Sequence, residues 1–224
     1  MLKTLSIVRQ QHTDFVPEWR RTSDDIILQH PRLAAIHHAV VCDVLGQPIY
    51  DQPIWVERAG AVCVAVNEAG AVALLRQHRH VMLNDDGTTF PDAGYANCGK
   101  ESLEFPRGFA EPGEDAPEAA RREVEEELLL RAMTVEFLGQ INSNTTFVAI
   151  SAHVYLVTVA CQEPSLRSRD AAEAIESIQF VDVHEMIRLI NDGQISCGIT
   201  LAAFSLYLAR AVAREQMSLQ RPLK

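Results

Sequence analysis

The chain has no run approaching the roughly 18 to 20 uninterrupted apolar residues that a bilayer-spanning helix requires. Its opening residues, MLKTLSIVRQQHTDF, contain no apolar stretch of the kind a secretory leader carries. A cysteine framework is missing too. The five cysteines (Cys42, Cys63, Cys98, Cys161 and Cys197) are odd in number, scattered, and never spaced as CxxC, which supports neither a disulfide scaffold nor a zinc site. No cluster of lysine and arginine interleaved with aromatics is present, and a formal charge of −10 opposes holding a nucleic-acid backbone. No internal repeat or low-complexity segment appears. The expectation is a soluble, cytoplasmic, non-secreted protein that binds neither membrane nor nucleic acid. An acidic protein can still bind phosphates where metal ions screen the charge.

With 224 residues, 47% of them hydrophobic and 22% charged, the chain can bury one good-sized core plus a small appendage. Residues 1–36 resist assignment. The stretches AVVCDVLGQPIY, DQPIWVERAGAVCVAV and AVALLRQ read as strands in two successive hairpins, with Gly46 and Gly70 at turns. Residues 80–101 are rich in Gly, Asn and Asp and have loop composition. Further strands are expected at SLEFP, TVEFLGQI, AISAHVYLVTVA and AIESIQFVDV, and helices near 116–129, 183–192 and 199–214. Asp182 stands three residues before Glu185 as a capping pair for the second of these helices. Hairpins interleaved with a few helices imply a mixed sheet between helices, in the α/β (α+β) class.

Residues 108–130, GFAEPGEDAPEAARREVEEELLL, carry the chemistry. The helix begins with Asp115 as N-cap, Pro117 in the first turn and Glu118 three residues past the cap. Ala116, Ala120, Val124 and Leu128 recur every four residues as an apolar stripe, while Glu123, Glu126 and Glu127 fall at i, i+3 and i+4 on the adjoining arc. Like charges so spaced cost a few tenths of a kcal/mol per pair unless something positive lies between them. Magnesium suits such a place, since it takes carboxylate oxygens at about 2.0 to 2.1 Å and commonly bridges them to substrate phosphates. A Glu-rich helix alone is usually a solvated face. The residues upstream alter that weighing.

Gly108, Glu114, Arg122, Glu123, Val124, Glu126, Glu127 and Leu130 match eight fixed positions of one signature, and the chain here resembles the Nudix hydrolase family. The signature has glycine where this chain has Leu129. The resemblance implies an α/β/α sandwich with a mixed sheet over residues 57–216, preceded by a partly β-rich extension at 1–56 that serves dimerisation and followed by a tail at 217–224. It implies Mg2+, with Mn2+ as substitute, held by Glu123, Glu126, Glu127 and the backbone carbonyl of Arg107. Gly108, Glu114 and Arg122 are then structural, Glu114 and Arg122 as an ion pair holding loop to helix.

Outside the signature, LLRQHRH and Glu104-Phe105-Pro106-Arg107-Gly108 resemble elements of the ADP-ribose and nucleotide-sugar pyrophosphatases of that family. By that likeness Arg79 or Gln77 reaches the substrate and Glu104 contacts the metal cluster or its waters; the alternatives are strand-end and edge-strand charges. NSNTTF at 142–147 departs from the proline-containing segment common there. The base is sought in SLRSRDAAEAIES, where Glu173 and Glu176 are candidates with Asp170 behind them, the alternative being solvated loop acids. Glu127 joins them as a catalytic carboxylate. The implied reaction is hydrolysis of the diphosphate bond of ADP-ribose or a similar nucleotide sugar by a homodimer. A dinucleotide pyrophosphatase and a non-catalytic ligand-sensing domain are the rivals.

Overall fold

The computed structural model describes residues 5–6, 18–20, 26–29, 35–42, 45, 47–78, 101–145, 148–149, 152–168 and 175–219. Arg79, Asp170, Glu173 and the loop expected at 80–101 lie outside these, apart from Glu101. The chain divides into two units: Met1–Arg58 with Asn142–Ser151, and Ala59–Ile141 with Ala152–Lys224.

The first unit contains strands β1 (Leu5–Ser6), β2 (Glu18–Arg20), β3 (Ile26–Gln29), β4 (Ala35–Cys42) and β5 (Pro48–Val56). β4 and β5 are antiparallel partners, which is the first of the two hairpins expected from the sequence. A short strand from far along the chain, Val148–Ala149, pairs parallel with β5 in this unit.

The second unit is built on a mixed sheet of β6 (Gly60–Val66), β7 (Val72–His78), β8 (Glu101–Glu104), β9 (Arg107–Phe109), β10 (Leu130–Ile141), β12 (Ala152–Pro164) and β13 (Ile175–Val181), with Val148–Ala149 counted as β11. Helix α1 (Ala116–Leu128) lies between β9 and β10, and α2 (Val183–Asn191) and α3 (Gly198–Leu219) follow β13. The main order is β10-β12-β6-β7-β13, and only β6 and β12 run parallel. β6 and β7 meet at Val66 and Val72 beside their turn; β9 then pairs with β6, and β8 with β7. The turn is the second expected hairpin. Asn67 Oδ1 accepts from the N–H groups of Ala69 and Ala71, and Gly70 supplies the left-handed residue at φ 80°.

Alternation along the strands divides two cores. Val62, Val64, Val66, Val72, Leu74, Val154 and Leu156 face one side, where Met186 and Leu189 of α2 and Ala203 and Phe204 of α3 join them. Ala61, Cys63, Ala65, Ala73, Leu75, Tyr155, Val157 and Val159 face the other, packed with Ala119, Ala120, Val124 and Leu128 of α1. A sheet buried on both faces between one helix and two is the α/β/α sandwich of mixed topology expected. No helix among the described residues is long and apolar enough to cross a membrane.

Candidate active site

Local chemistry builds α1. Asp115 is extended at φ −82°, ψ 162°, and its Oδ1 accepts from the N–H of Glu118 at 2.8 Å, with proline in the first turn, as the sequence predicts. The buried face of Ala119, Ala120, Val124 and Leu128 seats the helix on the sheet, and this fixes the adjoining acidic edge. β9, paired with β6, runs beside it, so residues 107–109 lie against the carboxylates.

Arg122 is the hub of this edge. Its Nε and NH2 grip the two oxygens of Glu114 at 2.9 and 3.0 Å, and NH2 also donates to the carbonyl of Phe109 at 2.9 Å. NH1 donates to Glu123 Oε1 at 2.7 Å and to Glu126 Oε2 at 3.0 Å. All five donors of the guanidinium are thereby engaged, in a side chain that is nearly buried. Burial alone would lower the pKa of Arg122, but Glu114, Glu123 and Glu126 outweigh it and hold the group firmly charged. The same hydrogen bonds from Arg122 hold Glu114 below the ordinary carboxylate range, helped by the N–H of Glu111 at 2.8 Å. The ion pair between loop and helix is therefore present.

Glu127, buried, points the other way and accepts from the backbone N–H of Arg107 at 3.0 Å. The Arg107 guanidinium reaches Glu104 Oε2 at 2.7 Å, and the same oxygen accepts from Gln77 Nε2 at 3.3 Å. Both Gln77 and Glu104 are buried, so they sit inside this network and not at an outer rim. Gly108 is where β9 comes closest to the helix: a Cβ there would overlap the carboxylate of Glu123. Only glycine leaves that room. Cys63 lies beneath, its thiol donating to the carbonyl of Ala120 at 3.4 Å; burial first, then Glu127 and Glu123, push its pKa well up, which makes it an inert core thiol.

Among the described residues no three His, Cys, Asp or Glu side chains are arranged to enclose a metal ion. The contacts give the reason. NH1 of Arg122 stands between Glu123 and Glu126, while Glu127 is turned to the N–H of Arg107. The donor chemistry nonetheless suits a hard cation: carboxylate oxygens alone, carried along one helix edge, with Glu126 partly exposed.

Glu176 is exposed on β13, at a bulge between the pairs Ile175–Gln77 and Ser177–Arg76, so it stands at the sheet end that also carries Gln77. Bulges often re-aim a side chain beside an active site. Leu129 takes the left-handed conformation at φ 57°, ψ 29°, the place where the signature has glycine. Its carbonyl accepts from the N–H of Ser165 at 3.0 Å. One site neighbour escaped the sequence reading. Arg167 reaches Glu125 Oε2 at 3.2 Å and Glu126 Oε1 at 3.3 Å from 41 or more residues away, a contact to which no local pattern points.

Compared with known proteins, residues 56–196 match the family model of the NUDIX domain. A crystal structure of an ADP compounds hydrolase shares the fold, with a TM-score of 0.60 and 17% sequence identity over 96% of this chain and 94% of that one. None of the curated proteins matches the sequence.

Proposed function

The chain belongs to the Nudix hydrolase family, and from that premise we propose that it hydrolyses the diphosphate bond of a nucleoside diphosphate linked to another group, with ADP-ribose or a similar nucleotide sugar as substrate. The products are a nucleoside monophosphate and a sugar phosphate. The observation that carries the reading is the acidic edge of α1: Glu123 and Glu126 share one arginine nitrogen, and Glu127 is fixed by a backbone N–H of the adjoining strand. Three carboxylates along one helix edge, two of them held by a single arginine nitrogen, suit a hard cation and the phosphate chain it bridges to. The ADP compounds hydrolase of the same fold favours an adenosine diphosphate conjugate among the possible substrates.

In this proposal Glu123, Glu126 and Glu127 hold Mg2+, or Mn2+ in its place, with the carbonyl of Arg107 as a further donor. When bound, the metal polarises the phosphoryl oxygens and lowers the pKa of water. The protein's own residues do the rest. Arg122 holds Glu123 and Glu126 on one side and, through Glu114, ties the loop before the helix to the helix itself. The N–H of Arg107 orients Glu127. Glu104, braced by Arg107 and Gln77, keeps a buried negative charge behind the edge. Glu176 takes the proton from the attacking water, with Glu173, three residues earlier, as the other candidate base, and Arg79 meets the substrate. We place the protein in the cytoplasm as a homodimer.

The test is incubation with magnesium and a panel of nucleotide conjugates, with products identified by mass spectrometry, repeated with Glu127→Gln. Cleavage between the phosphorus atoms is expected for ADP-ribose or a related nucleotide sugar, with a loss of at least about a hundredfold in kcat for the variant, the lower end of what a positioned catalytic group contributes. A variant as fast as the parent rules out the carboxylate-centred mechanism.

A further inference from the structure

An anionic diphosphate must approach an edge that is itself acidic, and Arg122 has no donor left to offer it. Arg167 stands differently. It lies just beyond β12, its side chain 44% exposed, with Nε on Glu125 and NH1 on Glu126. The backbone beneath it is pinned: the N–H of Ser165 donates to the carbonyl of Leu129 at 3.0 Å, and the N–H of Arg167 donates to Ser165 Oγ at 3.0 Å. A fixed turn at the C-terminal end of α1 thus presents a half-exposed guanidinium over the carboxylates.

Its bonds, at 3.2 and 3.3 Å, are longer than the roughly 2.7 to 2.9 Å of a well-made charge-assisted pair. They are also unequal in role. Glu125 lies outside the set of carboxylates proposed to hold the cation, whereas Glu126 belongs to it.

We propose that Arg167 is a binding residue for the substrate's diphosphate: Glu125 tethers its Nε, and NH1 exchanges the carboxylate of Glu126 for a phosphate oxygen when Glu126 turns to the cation. This rests on the diphosphate hydrolase reading above. It adds one exchangeable cation, Arg167, to the attraction that Mg2+ and Arg79 supply in that reading. It also gives the turn at Leu129 a purpose, since the carbonyl of that residue holds the segment from which Arg167 reaches.

The test uses α,β-methylene-ADP, a diphosphate that cannot be cut between its phosphorus atoms, titrated calorimetrically into the full chain with Mg2+ present, and Mn2+ titrated alone. Parent, Arg167→Ala and Arg167→Lys are compared. Arg167→Ala should weaken the diphosphate by about tenfold to a hundredfold, the range for one charged hydrogen-bond partner. Arg167→Lys should recover part of that. Mn2+ alone should bind the alanine variant as tightly as the parent or more so, because a competing cation has left Glu126. In hydrolysis KM should rise while kcat stays close to that of the parent. Equal affinity of parent and alanine variant for the diphosphate overturns the assignment, as does no binding by the parent. So does a parallel loss of Mn2+ and diphosphate affinity, which marks a structural clasp. If the diphosphate binds through Arg167 but no conjugate is cleaved, the hydrolase reading fails and the binding assignment stands.

Discussion

Substituting Glu114→Gln removes one charge from the loop before α1 and leaves its shape intact. The carboxylate accepts from Nε and NH2 of Arg122 and from the N–H of Glu111. Glutamine keeps one acceptor oxygen and sets an amide NH2 where the other stood, so one arginine donor faces a donor. The two side chains are only 14% and 10% exposed, and little water reaches them to compensate. Removing one partner of a buried ion pair costs about 3 to 5 kcal/mol when the other charge is stranded. Here Arg122 keeps Glu123, Glu126 and the carbonyl of Phe109. The smaller figure of about 1.5 to 3 kcal/mol for a charge-assisted hydrogen bond therefore applies. At about 2 to 4 °C per kcal/mol for a chain of this length, the melting temperature falls by about 3 to 12 °C. Because Arg122 holds the folded-state pKa of Glu114 below its ordinary value, the contribution is fully present above the unfolded carboxylate value of about 4.3. It is lost as the pH falls through the lower folded value. Scanning calorimetry of parent and variant should show a gap that is constant near neutrality and closes in acid. Equal melting at pH 7, or a gap that widens on acidification, refutes the hub assigned to Arg122.

Two further substitutions probe the backbone around the same edge. Gly108→Ala places a methyl where the Glu123 carboxylate lies, so that side chain must move; Mn2+ affinity should drop while far-ultraviolet circular dichroism stays unchanged, and undiminished Mn2+ binding contradicts the close approach. Leu129→Gly relieves a left-handed conformation worth about 1 to 2 kcal/mol. It also forfeits the burial of a side chain that is 39% exposed, of similar size, and adds chain entropy to the unfolded state. Denaturant unfolding should differ by less than about 1 kcal/mol between parent and variant, near the cancellation of those effects; a loss above about 3 kcal/mol would show that the leucine side chain carries unrecognised packing.

Helix α1 was legible in the sequence because everything that makes it is local. Its cap, its proline and its apolar stripe lie within 14 residues, 115–128, and the carboxylate edge follows from helical spacing. The strands of the second unit were legible through their apolar runs, although which face met which helix was not. The Glu114–Arg122 pair came from resemblance, and only side-chain geometry revealed that the same guanidinium also binds Glu123 and Glu126. The contacts of Glu104 with Gln77, 27 residues away, and of Arg167 with Glu125, 42 residues away, arise from strand order, which no spacing encodes. For the same reason the pairing of Val148–Ala149 with β5 was beyond local reading: two residues have no period, and their partner lies in the other half of the chain.

The central claim is that water attacks phosphorus at the carboxylate edge of α1, and oxygen-18 labelling tests it most directly. Hydrolysis of ADP-ribose with Mg2+ in labelled water should place one heavy oxygen on the phosphate of either the nucleoside monophosphate or the sugar phosphate in each turnover, as mass spectrometry reads it. Label in a sugar hydroxyl, or no product from any nucleotide conjugate, would contradict the account.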